Sequence, residues 1–238
     1  MASRRWERGD AEAQISRLYE APIGDHDVAV IYFGWAGILL RTIDAVMAMD
    51  LCDANFHLSE VSLLAQLDVH TYSHSHWDHW HAPTARAISE QTGAPMILEP
   101  QILEAGEIDE TEATAAHPGE AIRIGEITLA PIAGIHPRPI TLFHIRTPSL
   151  NVFHGADSGH VPLADYRADL AIVPVGTPSP SCSPQDAVAM IEDLGATAAI
   201  AVHGSEKDLA GFRRLAARRI PDVRICTPHA GELATLSV

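Results

Sequence analysis

Apolar and polar positions along this chain switch between a helical and a strand period, and the switches mark out its elements. Residues 9–20 put Ala11, Ile15, Leu18 and Tyr19 on one side of an amphipathic helix. Strands are expected at 27–33, 36–42 and 45–50, with Gly34 and Gly37 marking the tight turn between the first two. Residues 67–72 read as another strand, and a helix runs from near Pro83 to Thr92, where Gly93 stops it. A strand at 95–98 and a short helix near 100–106 come next. Strands at 121–124, 126–132, 140–146 and 149–154 alternate with turn residues, as in an antiparallel sheet. The run 168–175 is almost continuously apolar, the pattern of a strand covered on both faces. Ser183 then offers an N-cap with Pro184 at the first helical position, and that helix ends at Gly195. A strand at 197–202, a helix at 207–218 and a strand at 222–226 follow. Helices falling between blocks of strands predict an α/β fold, an αββα sandwich of two mixed sheets with helices on the outer faces. No linker, repeat or low-complexity tract divides residues 1–238, so one domain is expected, with 1–20 as an N-terminal helical extension.

The strand at 67–72 leads into His74-Ser75-His76-Trp77-Asp78-His79, which places four metal-ligand side chains in six residues. Neutral imidazoles and a carboxylate are what a catalytic divalent ion requires of a protein. Residues i and i+2 of an extended segment share a face, so His74 and His76 can hold one ion together. Where the chain turns towards the next helix, Asp78 and His79 swing towards a second. Three further ligand types stand at the C-terminal ends of expected strands: His136 after 127–135, Asp157 after "NVFH", and His203 closing "GATAAIAVHG". All can converge on one edge of a sheet core.

Composition narrows the partners. A chain of 238 residues with 47% hydrophobic content can bury a large core. Its net charge of −15 excludes a phosphate-backbone partner, because nucleic-acid binding needs clustered Lys and Arg. Cys52, Cys182 and Cys226 are far apart and odd in number, which fits a reduced cytoplasmic interior without disulfides. The N-terminal "MASRRWERGDAEAQ" has no apolar stretch behind it and does not read as a signal peptide. The longest apolar run, 28–40, is too short for a membrane span. A cytoplasmic protein with a small-molecule substrate is expected, self-association being the one macromolecular partnership left open. Rival chemistries lack their motifs: the serine of "GADSG" comes one position too late for G-x-S-x-G, and neither a phosphate loop nor H-E-x-x-H occurs.

The H-S-H-W-D-H run, "VIYFGWAGILLRT" with Asp50 after its strand, His136, "GADSG", "ADLAIVPVG", "AVHG" and the closing "TPHAGELATL" together resemble the metallo-β-lactamase superfamily, within it the branch of ascorbate-6-phosphate lactonase and related metal-dependent hydrolases. The resemblance runs from about residue 27 to the end. It implies that His74, His76 and His136 hold a first metal, that Asp78, His79 and His203 hold a second, and that Asp157 bridges them. Two departures stand out: Ala156 where a glycine usually precedes the bridging Asp, and Trp35 in a variable "GWAG" segment. Neither removes a ligand.

The implied activity is hydrolysis of a small-molecule ester or lactone by hydroxide bridging two divalent ions, zinc first, with manganese or iron as alternatives. Asp78, Asp157 and His160 are the catalytic candidates, His160 as proton donor, substrate contact or plain loop residue. Other readings are a small-molecule phosphodiesterase, a non-catalytic metal-binding or sensor protein, and a single-iron, thiol-linked oxygenase. Asp50 is expected to orient a ligand histidine. His70 and His154 fall inside strands, whereas His81, His117 and His229 read as loop residues. The acidic stretch 104–112 reads as a solvated loop or a lid, and Ser181-Cys182-Ser183 as a pocket-lining segment.

Overall fold

A computed structural model describes residues 8–238. The helix α1 (Arg8–Glu20) precedes a hairpin of β1 (Asp27–Gly34) and β2 (Gly37–Arg41), then β3 (Val46–Met49), a 3-10 turn (Leu58–Leu63) and β4 (Val69–Tyr72). Next come α2 (Ala82–Thr92), β5 (Met96–Leu98), α3 (Pro100–Glu104) and β6 (Ala113–Ala115). The second half holds β7 (Ile122–Ile124), β8 (Ile127–Ala133), β9 (Thr141–Arg146), β10 (Asn151–His154) and β11 (Leu170–Pro174). It finishes with α4 (Pro184–Leu194), β12 (Ala198–Val202), α5 (Glu206–Arg219), β13 (Arg224–Cys226) and β14 (Leu233–Ser237).

The strands form two seven-stranded sheets, ordered β14-β1-β2-β3-β4-β5-β6 and β13-β12-β11-β10-β9-β8-β7. Both are mixed, antiparallel on one side and parallel on the other. The period of two in strand side chains explains how they stack. Val28, Val30, Ile38 and Leu40 meet Val152, Leu170, Ile172 and Ile200 between the sheets. The alternate residues Ala29, Ile31 and Leu39 face Ile15 and Leu18 of α1, and Ala171, Val173 and Ala199 face Val188, Ile191 and Phe212 of α4 and α5. These strands are apolar on both faces because each face has a cover. The architecture is the expected αββα sandwich.

Cap chemistry sets the helix ends where expected. Ser183 accepts from the Asp186 amide to start α4, and Gly93 and Gly195, at φ 71° and 61°, close α2 and α4 in the left-handed region that glycine enters without strain. Three elements were not foreseen. The 3-10 turn and the three-residue β6 are too short to show a period, and β14 is a partly exposed edge strand laid antiparallel on β1. All three cysteines are free, and no helix among the described residues is long and apolar enough to cross a membrane.

The acidic stretch is anchored rather than free: Glu107 accepts from the Trp80 indole at 2.9 Å, and Glu112 pairs with Arg86 of α2 at 2.9 Å. His70 is buried, its Nε2 lying 2.8 Å from Ser89 Oγ and its Nδ1 3.3 Å from the Tyr72 hydroxyl. Burial holds its pKa down, from 6.5 to about 3. The folded value lies below the unfolded one, so this contribution to stability is complete above pH 6.5 and is lost as pH falls towards about 3. In that window, His70 should contribute a loss on the order of 1 kcal/mol per pH unit. Urea titrations of the protein and of His70→Gln across the window should differ in slope by that amount; parallel pH profiles would refute it.

Candidate metal centre

The site lies along one end of the sandwich, where β1–β2, β3, β4, β8, β10 and β12 deliver their C-terminal ends or connecting loops. The segment after β4 carries the histidine-rich run, and its backbone turns at once: the His79 and Trp80 amides donate to the His76 carbonyl at 2.9 and 2.8 Å. That turn separates the run into two groups. His74, His76 and His136 bring one nitrogen each within 4.8 Å of one another, and Asp78, His79, Asp157 and His203 do the same with their ligand atoms. The seven residues singled out from the sequence are therefore all brought together. Two tight groups of imidazoles and carboxylates are a site for divalent metal.

The chemistry of the donors fits a cation. Asp157 Oδ1 lies 3.2 Å from His79 Nε2 and 3.0 Å from His203 Nε2, and Asp78 Oδ2 lies 3.4 Å from His203 Nε2. Although these separations are short, the angles do not make hydrogen bonds. Asp157 Oδ1, His79 Nε2, His136 Nε2 and both ring nitrogens of His203 are buried without a hydrogen-bond partner. Orphaned polar atoms are costly unless something binds them. Burial by itself would lower the pKa of His79, but Asp157 and Asp50 outweigh it and raise it to about 10, so this pocket seeks positive charge. For Asp157 and Asp78 burial acts upward, and His79 and His203 nevertheless hold both carboxyls below their usual range. His74, His76 and His136 are pushed down by burial first, which keeps their imidazoles neutral and able to donate a lone pair.

A second layer holds the ligands in place. Asp50, fully buried, sets one oxygen 2.8 Å from His79 Nδ1 and accepts from the Ser73 amide and hydroxyl, both at 2.7 Å. With Nδ1–H directed at Asp50, His79 presents Nε2 to the group. Asn55 braces the same region, donating to the Asp50 carbonyl at 2.9 Å and the Asp78 carbonyl at 3.3 Å, and accepting from the Cys52 amide at 3.1 Å. Ser179 Oγ donates to the Asp157 carbonyl at 2.8 Å. Asn55, Ser73 and Ser179 escaped the sequence reading because nothing in their spacing ties them to distant ligands. The nearest signal was Ser73 standing directly before the motif.

Backbone strain marks the same place. The non-glycine residues with positive φ among those described are Trp35 (53°), Asp50 (50°), Ala156 (47°) and His203 (47°). Such conformations cost about 1–3 kcal/mol each and persist where the surroundings enforce them. Ala156 thus stands in the left-handed region, which explains why glycine suits that position better. Trp35 is tied to the site directly, its carbonyl accepting from the His203 amide at 3.1 Å.

The remaining candidates separate from the ligand groups. His160 belongs to neither: its Nε2 lies 2.9 Å from Asp193 on α4, an engagement that anchors the loop after Asp157. His81 bonds Thr84 at the start of α2, and His117 and His229 are exposed. His154 is fully buried beneath the site. Cys182 is buried and its thiol is pushed up to about 12, first by burial, so it is not a thiolate ligand at neutral pH.

Comparison with solved structures bears on the fold. The metallo hydrolase Igni18 from the archaeon Ignicoccus hospitalis superposes with a TM-score of 0.70 at 16% identity, over 89% of this chain and 99% of its own. The metallo-beta-lactamase fold protein YhfI from Bacillus subtilis gives 0.68 at 19% identity, over 89% and 100%. CmlA, a diiron beta-hydroxylase from Streptomyces venezuelae, gives 0.67 at 15% identity, over 91% of this chain and 55% of that one. Identities this low establish shared architecture alone. No curated protein matches the sequence. The family model of the beta-lactamase superfamily domain matches residues 9–203, which covers both ligand groups, and this chain is a member of that superfamily with the metallo-β-lactamase fold.

Proposed function

We propose that this protein is a dinuclear metal-dependent hydrolase acting on a small-molecule ester or lactone. The observation that supports it best is the convergence of seven ligand side chains in two groups, with buried nitrogens and a carboxylate oxygen left without partners. His74, His76 and His136 would hold one ion and Asp78, His79 and His203 the other, with Asp157 between them. Bound there, two divalent ions supply Lewis acidity and acidify water from a pKa of 15.7 to about 7, which makes a nucleophile available at neutral pH. The chain's own part is positioning. Asp50 and Ser73 fix the His79 ring, Asn55 ties the Asp50 and Asp78 backbones together, and Ser179 holds the Asp157 carbonyl. No serine or cysteine nucleophile is needed, and the high thiol pKa of Cys52 and Cys182 keeps both cysteines out of the chemistry.

Zinc is the proposed native ion, with manganese or iron as alternatives, because imidazole and carboxylate accept all three. The shared fold of the diiron hydroxylase makes the metal decisive: zinc permits hydrolysis only, while iron opens redox chemistry. Protein purified without chelator should contain close to two transition-metal ions per chain and cleave lactones or carboxylic esters in preference to phosphodiesters. A reproducible ceiling of one ion after metal is added back would refute the dinuclear reading. Turnover of phosphodiesters alone would replace the substrate class.

A further inference from the structure

Among the described residues, large apolar side chains are almost all covered. The exposed ones among them are Ile43 (49%), Leu58 (45%), Trp77 (68%) and Ile135 (56%). Two of these four are chain neighbours of the ligand set. Trp77 stands between His76 and Asp78, and Ile135 directly precedes His136. Exposed apolar residues scattered singly need no explanation, whereas apolar residues gathered at a functional opening do.

The two are not isolated. Trp77 packs edge-on against Trp35 with ring centroids 5.5 Å apart and planes at 74°, and Trp35 in turn lies 5.9 Å from the His203 ring. Trp35 is held in the left-handed region at φ 53°, a genuine outlier for a bulky side chain, so the fold accepts strain to keep this indole at the site. Trp35 also walls a cleft of about 450 Å³ that reaches His203 and is lined further by Tyr32, Pro178, Val202 and Leu209. That volume lies in the range of small-molecule pockets, and the lining mixes these apolar groups with polar and charged ones, Glu206, Arg213 and His229. Ile135 stands on the side of the first ligand group, its backbone bridged to Gly159.

We infer that the site takes a substrate carrying an alkyl or aryl group beside the bond to be cleaved, and that this group is seated on the Trp35–Trp77 pair. The inference rests on the hydrolase reading, since it concerns what lies next to the reacting bond. Its physical basis is separate: transferring the apolar group from water onto two indoles gains affinity in proportion to the area covered. A short, fully polar substrate would leave the exposed Trp77 ring in water.

The test uses ligands that chelate metal without being cleaved. Acetohydroxamate and octanohydroxamate present the same chelating head, and calorimetry on metal-loaded protein gives the affinity of each. Octanohydroxamate should bind at least about tenfold more tightly. In Trp77→Ala, whose exposed side chain supports no core, that ratio should fall below about threefold with metal content unchanged. Ile43→Ala, which removes an exposed apolar side chain elsewhere, should keep the full ratio. Equal binding of the two ligands would overturn the inference, and so would a Trp77→Ala ratio equal to that of the parent. If Trp77→Ala instead splits a dimer and leaves the ratio intact, the indole serves contact between copies and the inference is wrong. Absence of binding by both hydroxamates would overturn the metal reading and this inference with it. A preserved chain-length preference in a protein that turns over no ester or lactone would keep the apolar seat and reject the proposed reaction.

Discussion

Replacing Asp157 with alanine should abolish turnover and strip metal from both ligand groups. Its Oδ1 lies 3.2 and 3.0 Å from His79 Nε2 and His203 Nε2 within the second group, and its charge also acts on His76 and His136 of the first. Removing it leaves imidazoles with one carboxylate, Asp78, to balance the charge of a divalent ion in a buried place. The loss should go well beyond the ~10–100-fold that an outer partner of a ligand is worth. His117→Ala is the matched control, since that residue is exposed and stands outside both groups. Elemental analysis and initial rates on the two variants decide the matter. Metal loss confined to one ion would refute the bridging role, and equal damage in both variants would trace the effect to the fold.

Asp50→Asn is the second large effect, and it acts without touching a ligand atom. Asparagine keeps the shape and tolerates φ 50°, so the backbone should not move. Its amide, however, has one acceptor oxygen where the carboxylate has two. Asp50 now accepts from the Ser73 amide and hydroxyl and faces His79 Nδ1. With the oxygen retained on the Ser73 amide, the new NH2 meets the His79 Nδ1–H, donor against donor. The ring is then driven to the tautomer that carries hydrogen on Nε2, the nitrogen that must be free to ligate. Metal affinity at the second group should fall by about 10–100-fold. Competition against a chelating dye measures it directly, and an affinity within twofold of the parent would show that Asp50 merely caps a turn.

Most of the fold was legible because most elements are long enough to show their period and carry their own caps. Ser183–Pro184 and Gly195 bound α4 from three residues alone, and 168–175 announced a doubly covered strand by being apolar at every position but Asp169. The misses share a cause. β6 has three residues and β14 is a half-exposed edge strand, so each depends on a neighbour that is distant in sequence. β14 exists because β1, about two hundred residues earlier, offers it an open edge.

The ligand set was equally legible, because H-x-H-x-D-H packs its chemistry into one turn and the other three ligands each close an apolar strand. What the sequence by itself determined was this list of donors and the sandwich that carries it, since both follow from local spacing and periodicity. Only the tertiary structure decided what holds the donors in their two groups. Asn55 reaches Asp50 and Asp78, Ser179 reaches the Asp157 carbonyl, and His160 turns to Asp193 on α4. It also brought two tryptophans 42 positions apart into one aromatic edge beside His203. The reason is physical: hydrogen bonds and ring contacts are set by distance in space, and residues far apart in the chain acquire that distance only when the sheets have closed.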